Sequence, residues 1–430
     1  MSHNRGIAGV DAAPTVHPIG WRVTEEMAPL RSLRGLPAVL SVLVLLILGG
    51  GIAVATTGSP VAGTNPDGSP NPVGAPPAPP KPVVSVTPAA QGLSPSDPVV
   101  VHIAQGAATK VTLTNKASGA VVAGTLATDG ATWTSTQPLA YAATYTVGVD
   151  AKGPDGTASH QDLAVSTLSP AVQAFPSFIP PPAQATVGVG QPIVVKFNHA
   201  VHDRAATQRA LSVTSTPPQA GGWYWLSDTE VHYRPQTYWT AGSTITLKAN
   251  VYGVDLGGGV YGETDRTETI HVHDAWVAKA NGATEQMQIF DNGALVKTMP
   301  ISLGSPGFPS HIGPHVISDK QPSVIMDSCT YGVCQGQPGY YKEKVDLDER
   351  ISDDGEFVHS APWSVGSQGG ANVSHGCVNL SPANAQWFFD HFGIGDVVEV
   401  TNSGGKQLPL DDTYGDWELT WAQWQKGSAV

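Results

Sequence analysis

The segment Ser374-His375-Gly376-Cys377-Val378-Asn379-Leu380 has the residue types needed for nucleophilic attack on an acyl carbon. Cys377 would attack as a thiolate, so it needs a base or a positive charge to lower its pKa from about 8.5. His359 is the better base, because side chains two residues apart in an extended segment are parallel and His375 would orient another group. Gly376 would allow a turn that aims successive N–H groups at a carbonyl oxygen, as in an oxyanion hole. The pattern therefore predicts acyl transfer.

Two other interpretations of Cys377 are open. A lone cysteine beside a histidine is often a small buried hydrophobic residue. Against this, the stretch between His359 and Cys377 is rich in Gly and Ser and is typical of a substrate-facing loop. A zinc site would need further ligands at short spacing, whereas Cys329 and Cys334 lie in a different segment. We therefore expect no metal and no cofactor.

The segments that must position these residues are mainly strands. Glu285–Phe290 and Ala294–Pro300 flank an Asn-Gly pair, which is a strong signal for a two-residue hairpin turn. One helix is predicted just after the nucleophile, with Ser381 as the N-cap and Pro382 at the first helical position, ending at His391. Its dipole would make a small contribution to stabilising a thiolate.

Two modules precede this region, at 82–168 and 169–273. Both contain short alternating apolar runs separated by Gly, Pro, Ser and Asp, which predict two small β-sandwiches. Neither contains a cysteine. In the second module Asp203 is a plausible N-cap for a helix from Arg204 to Leu211. Four strands are predicted in the first module: Val83–Thr87, Val99–Ile103, Lys110–Thr114 and Tyr145–Val149.

Aromatic residues cluster in the second module. The alternation of Trp223, Tyr224, Trp225 and Tyr233 is typical of a sandwich core, and a sugar-binding platform is the alternative.

The chain begins with a polar segment, residues 1–35, followed by an apolar segment, residues 36–55. About twenty apolar residues can cross a bilayer, and the arginines before them place the N-terminal side in the cytoplasm. The segment is either an anchor, which we favour, or a signal peptide cleaved after Ala53-Val54-Ala55. Residues 56–81 form a Pro- and Gly-rich linker that would act as a semi-rigid spacer. We therefore expect an extracytoplasmic protein attached to the membrane, or a secreted one if the segment is cleaved.

The charge of the chain excludes one class of partner. The formal net charge is -13, and no basic cluster is present to contact phosphates. Nucleic-acid binding is therefore not expected.

The motifs together resemble a known family. His359-Ser360-Ala361-Pro362-Trp363 followed by Ser374-His375-Gly376-Cys377-Val378-Asn379 is similar to the signature of the L,D-transpeptidases of the bacterial cell wall, whose catalytic domain is of the YkuD type. From about residue 82 onwards, the order of segments resembles the mycobacterial type with two immunoglobulin-like domains. The resemblance implies a mainly β fold: two immunoglobulin-like sandwiches, a β-rich catalytic domain at 274–401, and a Trp-rich extension at 402–430 that packs on it.

The resemblance also implies a mechanism and partners. Cys377 would attack a tetrapeptide stem of peptidoglycan, release D-alanine and pass the acyl group to a diaminopimelate amine, giving a 3→3 cross-link. His359 would be the base, and N–H groups of His375, Gly376 and Cys377 would bind the oxyanion. Carbapenems should acylate the same thiol. The remaining substrate-binding residues would be Ser360, Trp363 and Asn379, together with Met326, Tyr331 and Tyr341.

Residues 326–356 resemble the flap that covers the active site in this family. Cys329 and Cys334 would either form a disulfide in this flap or remain free thiols. The six acidic residues here are expected to form a solvated loop, with attraction of an amine acceptor as the alternative; they are Asp346, Asp348, Glu349, Asp353, Asp354 and Glu356. Before the flap, Pro309-Ser310-His311-Ile312-Gly313 stands where the family tends to have Pro-Thr-Pro-x-Gly, and His311 and His315 have no assigned role.

Three rival functions remain open from the sequence. The thioester could be resolved by water, which would make the protein an L,D-carboxypeptidase. A papain-like endopeptidase is disfavoured, because its nucleophile precedes its histidine. A non-catalytic cell-wall scaffold is also possible, although the intact pair of His359 and Cys377 argues against it. In the extension, Trp417, Trp421 and Trp424 have helical spacing and are expected to be packing residues.

Overall fold

The computed structural model of the chain describes residues 79–430. The predicted N-terminal segment 1–35, the apolar segment 36–55 and the linker up to residue 78 lie outside the described residues. Within residues 79–430, no helix combines the length and the apolar character needed to span a bilayer.

The first sandwich is built from eight strands: β1 (Val83–Thr87), β2 (Val100–Ala104), β3 (Ala107–Asn115), β4 (Val121–Val122), β5 (Gly124–Leu126), β6 (Thr132–Ser135), β7 (Thr144–Lys152) and β8 (Ala158–Ser166). They form two antiparallel sheets, in the orders β1-β2-β6-β5 and β4-β3-β7-β8. Strand β7 alternates buried and accessible residues, as expected for a sheet with one face on a core. The four predicted strands are confirmed, with shifts at their ends.

The second sandwich follows directly: β9 (Val172–Ala174), β10 (Pro176–Ile179), β11 (Thr186–Val187), β12 (Ile193–Phe197), β13 (Leu211–Thr216), β14 (Gly221–Trp225), β15 (Glu230–Pro235), β16 (Thr244–Ala249), β17 (Val260–Gly262) and β18 (Arg266–Val272). Its sheets have the orders β10-β12-β15-β14 and β11-β18-β16-β13, and β17 pairs with β9. Trp223, Trp225 and Tyr233 are buried in its core, which supports the packing interpretation of these aromatics.

The catalytic region contains β19 (Trp276–Asn281), β20 (Gln286–Asp291), β21 (Ala294–Pro300), β22 (Gly313–Val316), β23 (Asp319–Asp327), β24 (Lys342–Arg350), β25 (Phe357–Ser360), β26 (Val378–Leu380) and β27 (Val397–Thr401). The sheet orders are β21-β20-β19-β27-β22 and β23-β24-β25-β26. The predicted hairpin is β20–β21, and its turn residues Asn292 and Gly293 both have positive φ, at 47° and 82°.

Three α-helices occur in the described residues: α1 (Arg204–Arg209), α2 (Pro382–His391) and α3 (Trp421–Trp424). The N-caps predicted for α1 and α2 are confirmed, since Asp203 accepts from Ala206 N–H and Ser381 accepts from Asn384 N–H. Helix α1 ends two residues early because Leu211 begins β13. Short 3₁₀ helices lie at Pro182–Gln184, Ser328–Tyr331, Pro362–Ser364, Gly415–Glu418 and Gln425–Gly427.

Strand β27 joins the second sandwich to the catalytic region. Its successive residues Val397 and Val398 point to opposite faces, and each completes a different core, that of the sandwich and that of the catalytic region. Gly188 N–H donates to Ile394 O at 2.9 Å, and a Cβ at Gly188 would lie only 2.3 Å from Asp396 N. This close approach requires glycine and packs the two parts tightly together.

The C-terminal extension contacts both the catalytic region and the second sandwich. Its first part follows the catalytic region, where Ile312 pairs with Gln407. The three tryptophans instead pack on the second sandwich, around the buried Arg234, whose guanidinium carbon lies 4.7, 5.7 and 4.5 Å from the Trp417, Trp421 and Trp424 rings. The extension thus contacts both parts, since Gly415–Glu418 lies against β22 of the catalytic region while the tryptophan rings pack around Arg234. They also do not share one helix, because Trp417 belongs to a 3₁₀ helix and Thr420 caps a new helix at Trp421.

A buried ion pair adds to this contact. His232 in β15 lies 2.7 Å from Asp416 and 2.9 Å from Glu230. Burial disfavours the charged imidazole, but the two carboxylates outweigh it and raise the pKa of His232 to about 9. The extension is thus held to the second sandwich by aromatic packing around Arg234 and by a charged hydrogen bond.

We expect Trp424→Ala to destabilise this contact strongly. The Trp424 side chain is fully buried, and its Nε1 donates to Gly222 O at 2.8 Å. Removing a buried tryptophan should lower the free energy of unfolding by about 3–5 kcal/mol. Urea denaturation followed by circular dichroism measures this. Val121→Ala, at a side chain that is 63% exposed, is the control and should change the value by less than about 0.5 kcal/mol. An equal effect of both variants would contradict the packing argument.

Candidate active site

Parallel pairing of β25 with β26 brings the predicted nucleophile and base together. In this register His359 lies opposite Asn379. Cys377 precedes Asn379 by two residues, so the two residues are on the same side of the chain, and both line one cleft with His359. Cys377 follows His359 by eighteen positions in the sequence, and a loop between two adjacent strands spans most of this interval.

A backbone contact fixes the tautomer of His359. Its Nδ1 lies 3.0 Å from the Ser360 carbonyl oxygen, an arrangement in which Nδ1–H donates and Nε2 keeps its lone pair. The ring is 3% exposed, and burial lowers the pKa of His359 to about 4, while the Ser360 carbonyl and the Asn379 amide oppose this. At neutral pH the imidazole is therefore uncharged and can accept a proton at Nε2.

The thiol of Cys377 is buried in a small apolar cluster with Met326, Val345 and Phe357. Burial first, and then the nearby carboxylates of Glu356, Asp348 and Asp354, raise the pKa of the Cys377 thiol to about 12, against a lowering contribution from the Phe357 main chain. The resting site therefore holds a neutral thiol and a neutral imidazole rather than a thiolate–imidazolium pair. A thiol that attacks from this state must pass its proton to a base, and His359 in the same cleft is the candidate for that base.

The backbone turn before Cys377 depends on glycine. Gly376 has φ of 127°, and a Cβ there would lie 3.2 Å from Glu356 Oε1. Its N–H donates to Ser374 Oγ at 3.1 Å, and Ser374 Oγ donates to Cys377 O at 2.7 Å. The Gly376 N–H is thus already hydrogen-bonded within the loop. This argues against its predicted role as a donor in the oxyanion hole. The main-chain groups of His375 and Cys377 remain candidates for that part.

The cleft in front of Cys377 has a volume of about 280 Å³. Its walls include four of the residues predicted to bind substrate, Met326, Tyr341, Trp363 and Asn379. Trp363 is 57% exposed, and its ring centroid lies 5.9 Å from that of His359. Asn379 is buried and donates to Ser364 Oγ at 3.1 Å. An open cleft with a buried nucleophile at its base suits an extended peptide substrate.

The remaining predicted residues have different positions. His375 is an exposed wall residue, with its ring 4.8 Å from Phe308 and 5.2 Å from Tyr341. Ser360 reaches the site through its carbonyl, which holds His359, so its predicted contact with substrate through the side chain is not supported. Tyr331 lies in the 3₁₀ helix Ser328–Tyr331, and its role remains a prediction.

The flap is a β-hairpin closed at its base. Asp327 in β23 pairs with Lys342 in β24, and Cys329 and Cys334 form a disulfide in the connecting loop. Ser328 N–H donates to Tyr341 O at 3.0 Å, and Tyr341 N–H donates to Ser328 Oγ at 3.0 Å. The Tyr341 main chain therefore closes the flap while its ring lines the cleft.

The expectation of a solvated acidic loop is wrong for three of the six residues. Asp348 and Glu349 lie in β24 and are 2% and 0% exposed, and Glu356 is 5% exposed. Burial raises the pKa of Asp348 to about 7 and that of Glu349 to about 8. The acidic composition of this segment did not indicate that a strand and a turn within it bury three of its carboxylates.

The sequence analysis missed four cleft residues: Glu343, Val345, Val373 and Ser374. Alternation could have identified two of them, since Tyr341, Glu343 and Val345 are spaced by two along one strand face. Val373 and Ser374 lie in the loop before the nucleophile, where no periodicity applies.

Comparison with known proteins agrees with this geometry. Residues 275–400 match the L,D-transpeptidase catalytic domain, and residues 90–255 match a bacterial Ig domain. L,D-transpeptidase 2 of Mycobacterium tuberculosis is 42% identical over 350 residues, covering 81% of this chain and 85% of that protein. L,D-transpeptidase 5 of Mycobacterium tuberculosis is 34% identical over 361 residues, covering 82% of this chain and 78% of that protein.

A solved structure of LD transpeptidase LdtMt1 in complex with imipenem is 34% identical, covers 54% of this chain and 100% of that chain, and has a TM-score of 0.47. The sequence relatives are sufficient for assignment: the chain belongs to the L,D-transpeptidase family. It is therefore a cysteine transpeptidase, of the class that cross-links peptidoglycan.

The protonation state of the resting site is directly testable. Because the thiol pKa is about 12, alkylation of Cys377 by iodoacetamide should rise with pH without a plateau up to about pH 10. Peptide mass spectrometry measures the rate at residue 377 alone.

His359→Gln is the matched variant for this measurement. Since His359 is neutral at rest, its loss should leave the shape of the alkylation profile unchanged while abolishing acyl transfer. A plateau near neutral pH in the wild type that His359→Gln removes would instead establish a thiolate–imidazolium pair.

Proposed function

We propose that the protein forms 3→3 cross-links between peptidoglycan stems through a thioester on Cys377. The Cys377 proton moves to His359 Nε2 as Sγ attacks the carbonyl carbon before the terminal D-alanine of a tetrapeptide stem. Collapse of the tetrahedral intermediate breaks the C–N bond, and His359 returns the proton to the leaving amine. The observation that carries this proposal is the neutral pair of His359 and Cys377 at the base of one open cleft.

The second half of the reaction uses the same groups. The side-chain amine of diaminopimelate on a second stem attacks the thioester carbon, and His359 accepts the proton that the amine loses. The C–S bond then breaks, and the proton returns to Sγ. The carboxylate of Glu343 in the cleft wall supports an acceptor that arrives as an ammonium group, which releases one proton to solvent before the neutral amine attacks.

Hydrolysis of the same thioester is the second candidate. The cleft is open and Trp363 is more than half exposed, so water can reach the thioester until an acceptor stem fills the cleft. The balance between the two products then depends on occupancy by the acceptor. The same buried thiol is the proposed target of carbapenems, whose strained lactam carbonyl presents an acyl carbon to it.

Intact-protein mass spectrometry of the wild type and of Cys377→Ala tests this proposal. Each is incubated with a carbapenem and, separately, with a disaccharide-tetrapeptide. We expect a drug-sized adduct on the wild type alone, together with a cross-linked dimer and free D-alanine. Tripeptide without dimer would assign a carboxypeptidase. A folded wild-type protein with neither adduct nor turnover would contradict the enzymatic proposal and favour a scaffold.

We propose further that the enzyme works outside the cytoplasmic membrane, attached through residues 36–55. Support comes from the apolar run preceded by arginines and from the Cys329–Cys334 disulfide, which suits an oxidising compartment. In cell fractionation, the protein should stay in the membrane pellet after an alkaline carbonate wash, with an intact N-terminus by mass. Release of a form that begins after Ala55 would show a cleaved signal peptide instead.

A further inference from the structure

The two histidines left unassigned by the sequence meet at one buried carboxylate behind the nucleophile. Glu356 Oε1 accepts from His311 N–H at 2.8 Å and lies 3.2 Å from His311 Nδ1. Glu356 Oε2 lies 3.4 Å from His315 Nε2, and the His315 side chain is fully buried. We call His311, His315 and Glu356 the Glu356 cluster.

The buried ring of His315 lies between two oxygen atoms. His315 Nδ1 lies 3.0 Å from the Gly313 carbonyl oxygen and donates to it. Nε2 of the same ring faces Glu356 Oε2, so both ring nitrogens of His315 approach an oxygen acceptor. Burial disfavours the ionised Glu356, but its bonds to His311 and His315 prevail and hold its pKa below the usual value.

The cluster touches the turn that carries Cys377. Gly376 packs against Glu356, so closely that even a Cβ would meet the carboxylate. On the other side, Ser310 Oγ donates to Gly376 O at 2.5 Å and accepts from Gly304 N–H at 2.9 Å. Ser310 and His311 are consecutive, so one loop holds both the Gly376 carbonyl and the carboxylate behind it.

We propose that Glu356 is a positioning residue that fixes the Gly376 turn and places a negative charge behind Cys377, and that His311 and His315 neutralise this charge. The inference rests on Cys377 being the acylated nucleophile of the proposed function. In this arrangement, the reactivity of the thiol depends on the net charge of a cluster that does not line the cleft in front of Cys377. The imidazoles favour the thiolate, and the carboxylate opposes it.

Other charged groups face this cluster and enter the same balance. Asp354 Oδ2 lies 3.6 Å from His311 Nδ1. Asp348 in β24 acts on Cys377, and Asp412 and Glu418 in the C-terminal extension act on His311 and His315. His375 lines the same small cavity as His311 and Glu356. More carboxylates than imidazoles surround Cys377 and Glu356. The positive charge of a protonated His311 therefore affects the reactivity of the Cys377 thiol.

The sign of the pH effect follows from these contacts. The hydrogen bond to Glu356 raises the pKa of His311, against the opposing effect of burial. As the pH rises through that pKa, His311 loses its positive charge. The negative charge of the carboxylates is then no longer offset, and it disfavours the Cys377 thiolate. The gain in Cys377 reactivity with pH is therefore smaller than for an isolated thiol.

Opposite substitutions in the cluster test the proposal. Glu356→Gln keeps a hydrogen-bond acceptor but removes the negative charge, whereas His311→Gln removes the imidazole and keeps the charge. At about pH 6, where His311 is charged because Glu356 raises its pKa above the ordinary value, we expect iodoacetamide to alkylate Cys377 about threefold to tenfold faster in Glu356→Gln and slower by a similar factor in His311→Gln. Asp390→Asn, which neutralises an exposed carboxylate on α2, is the matched control and should stay within about twofold of wild type.

The two directions separate positioning by charge from a merely structural role. A loosened turn would change the rate in the same direction in both variants, and that result would overturn the proposal. If Glu356→Gln fails to fold, as judged by circular dichroism, an unchanged or faster rate in His311→Gln would still overturn it. Alkylation needs no peptidoglycan, so divergent variants without an acyl adduct would contradict the proposed function alone.

Discussion

The parallel pairing of Phe357–Ser360 with Val378–Leu380 is the constraint on which the rest of the site depends. It sets His359 beside Asn379 and leaves Cys377 at the end of the neighbouring strand. A shift of one residue would turn the base or the nucleophile away from the cleft. The short strand β26 is held on its other side by Ser302, whose N–H and carbonyl both bond to Asn379 at 3.2 and 2.9 Å. The register between these two strands is thus fixed by a few residues, and these residues are buried.

Burial of this pairing determines the chemistry of the resting site. Both reactive groups are in their neutral forms, so the site presents no preformed ion pair to solvent. Such a thiol is protected from indiscriminate alkylation and oxidation, because the thiolate is the reactive species. Selectivity then comes from the acyl group, whose arrival makes transfer of the proton to His359 favourable.

The sequence was sufficient for the nucleophile, the base and the β architecture, because each left a local signal. The cysteine and the histidine were identified by a motif, the hairpin by an Asn-Gly pair, and the helices by their N-cap residues. It was insufficient where a residue's role depends on tertiary contacts. The helical spacing of Trp417, Trp421 and Trp424 suggested one helix, yet Thr420 starts a new one and Arg234 of the second sandwich gathers all three rings.

The acidic residues of the flap region show the same limit. Composition indicated solvation, but the strand β24 buries Asp348 and Glu349, and histidines outside the flap hold Glu356. The role predicted for Gly376 in the oxyanion hole is disfavoured because its N–H donates to Ser374 Oγ, a contact that sequence spacing does not reveal. Burial and partner choice, rather than residue type, separated these cases.

The closed base of the flap has a thermodynamic consequence for substrate capture. A disulfide between Cys329 and Cys334 and the reciprocal bonds between Ser328 and Tyr341 restrict the loop before any ligand arrives. A peptide entering beneath an unrestrained loop would have to order its backbone, at about 1–2 kcal/mol per residue. Here most of that ordering accompanies folding and oxidation of the chain, so the binding free energy of the stem peptide is spent on orientation of the scissile carbonyl.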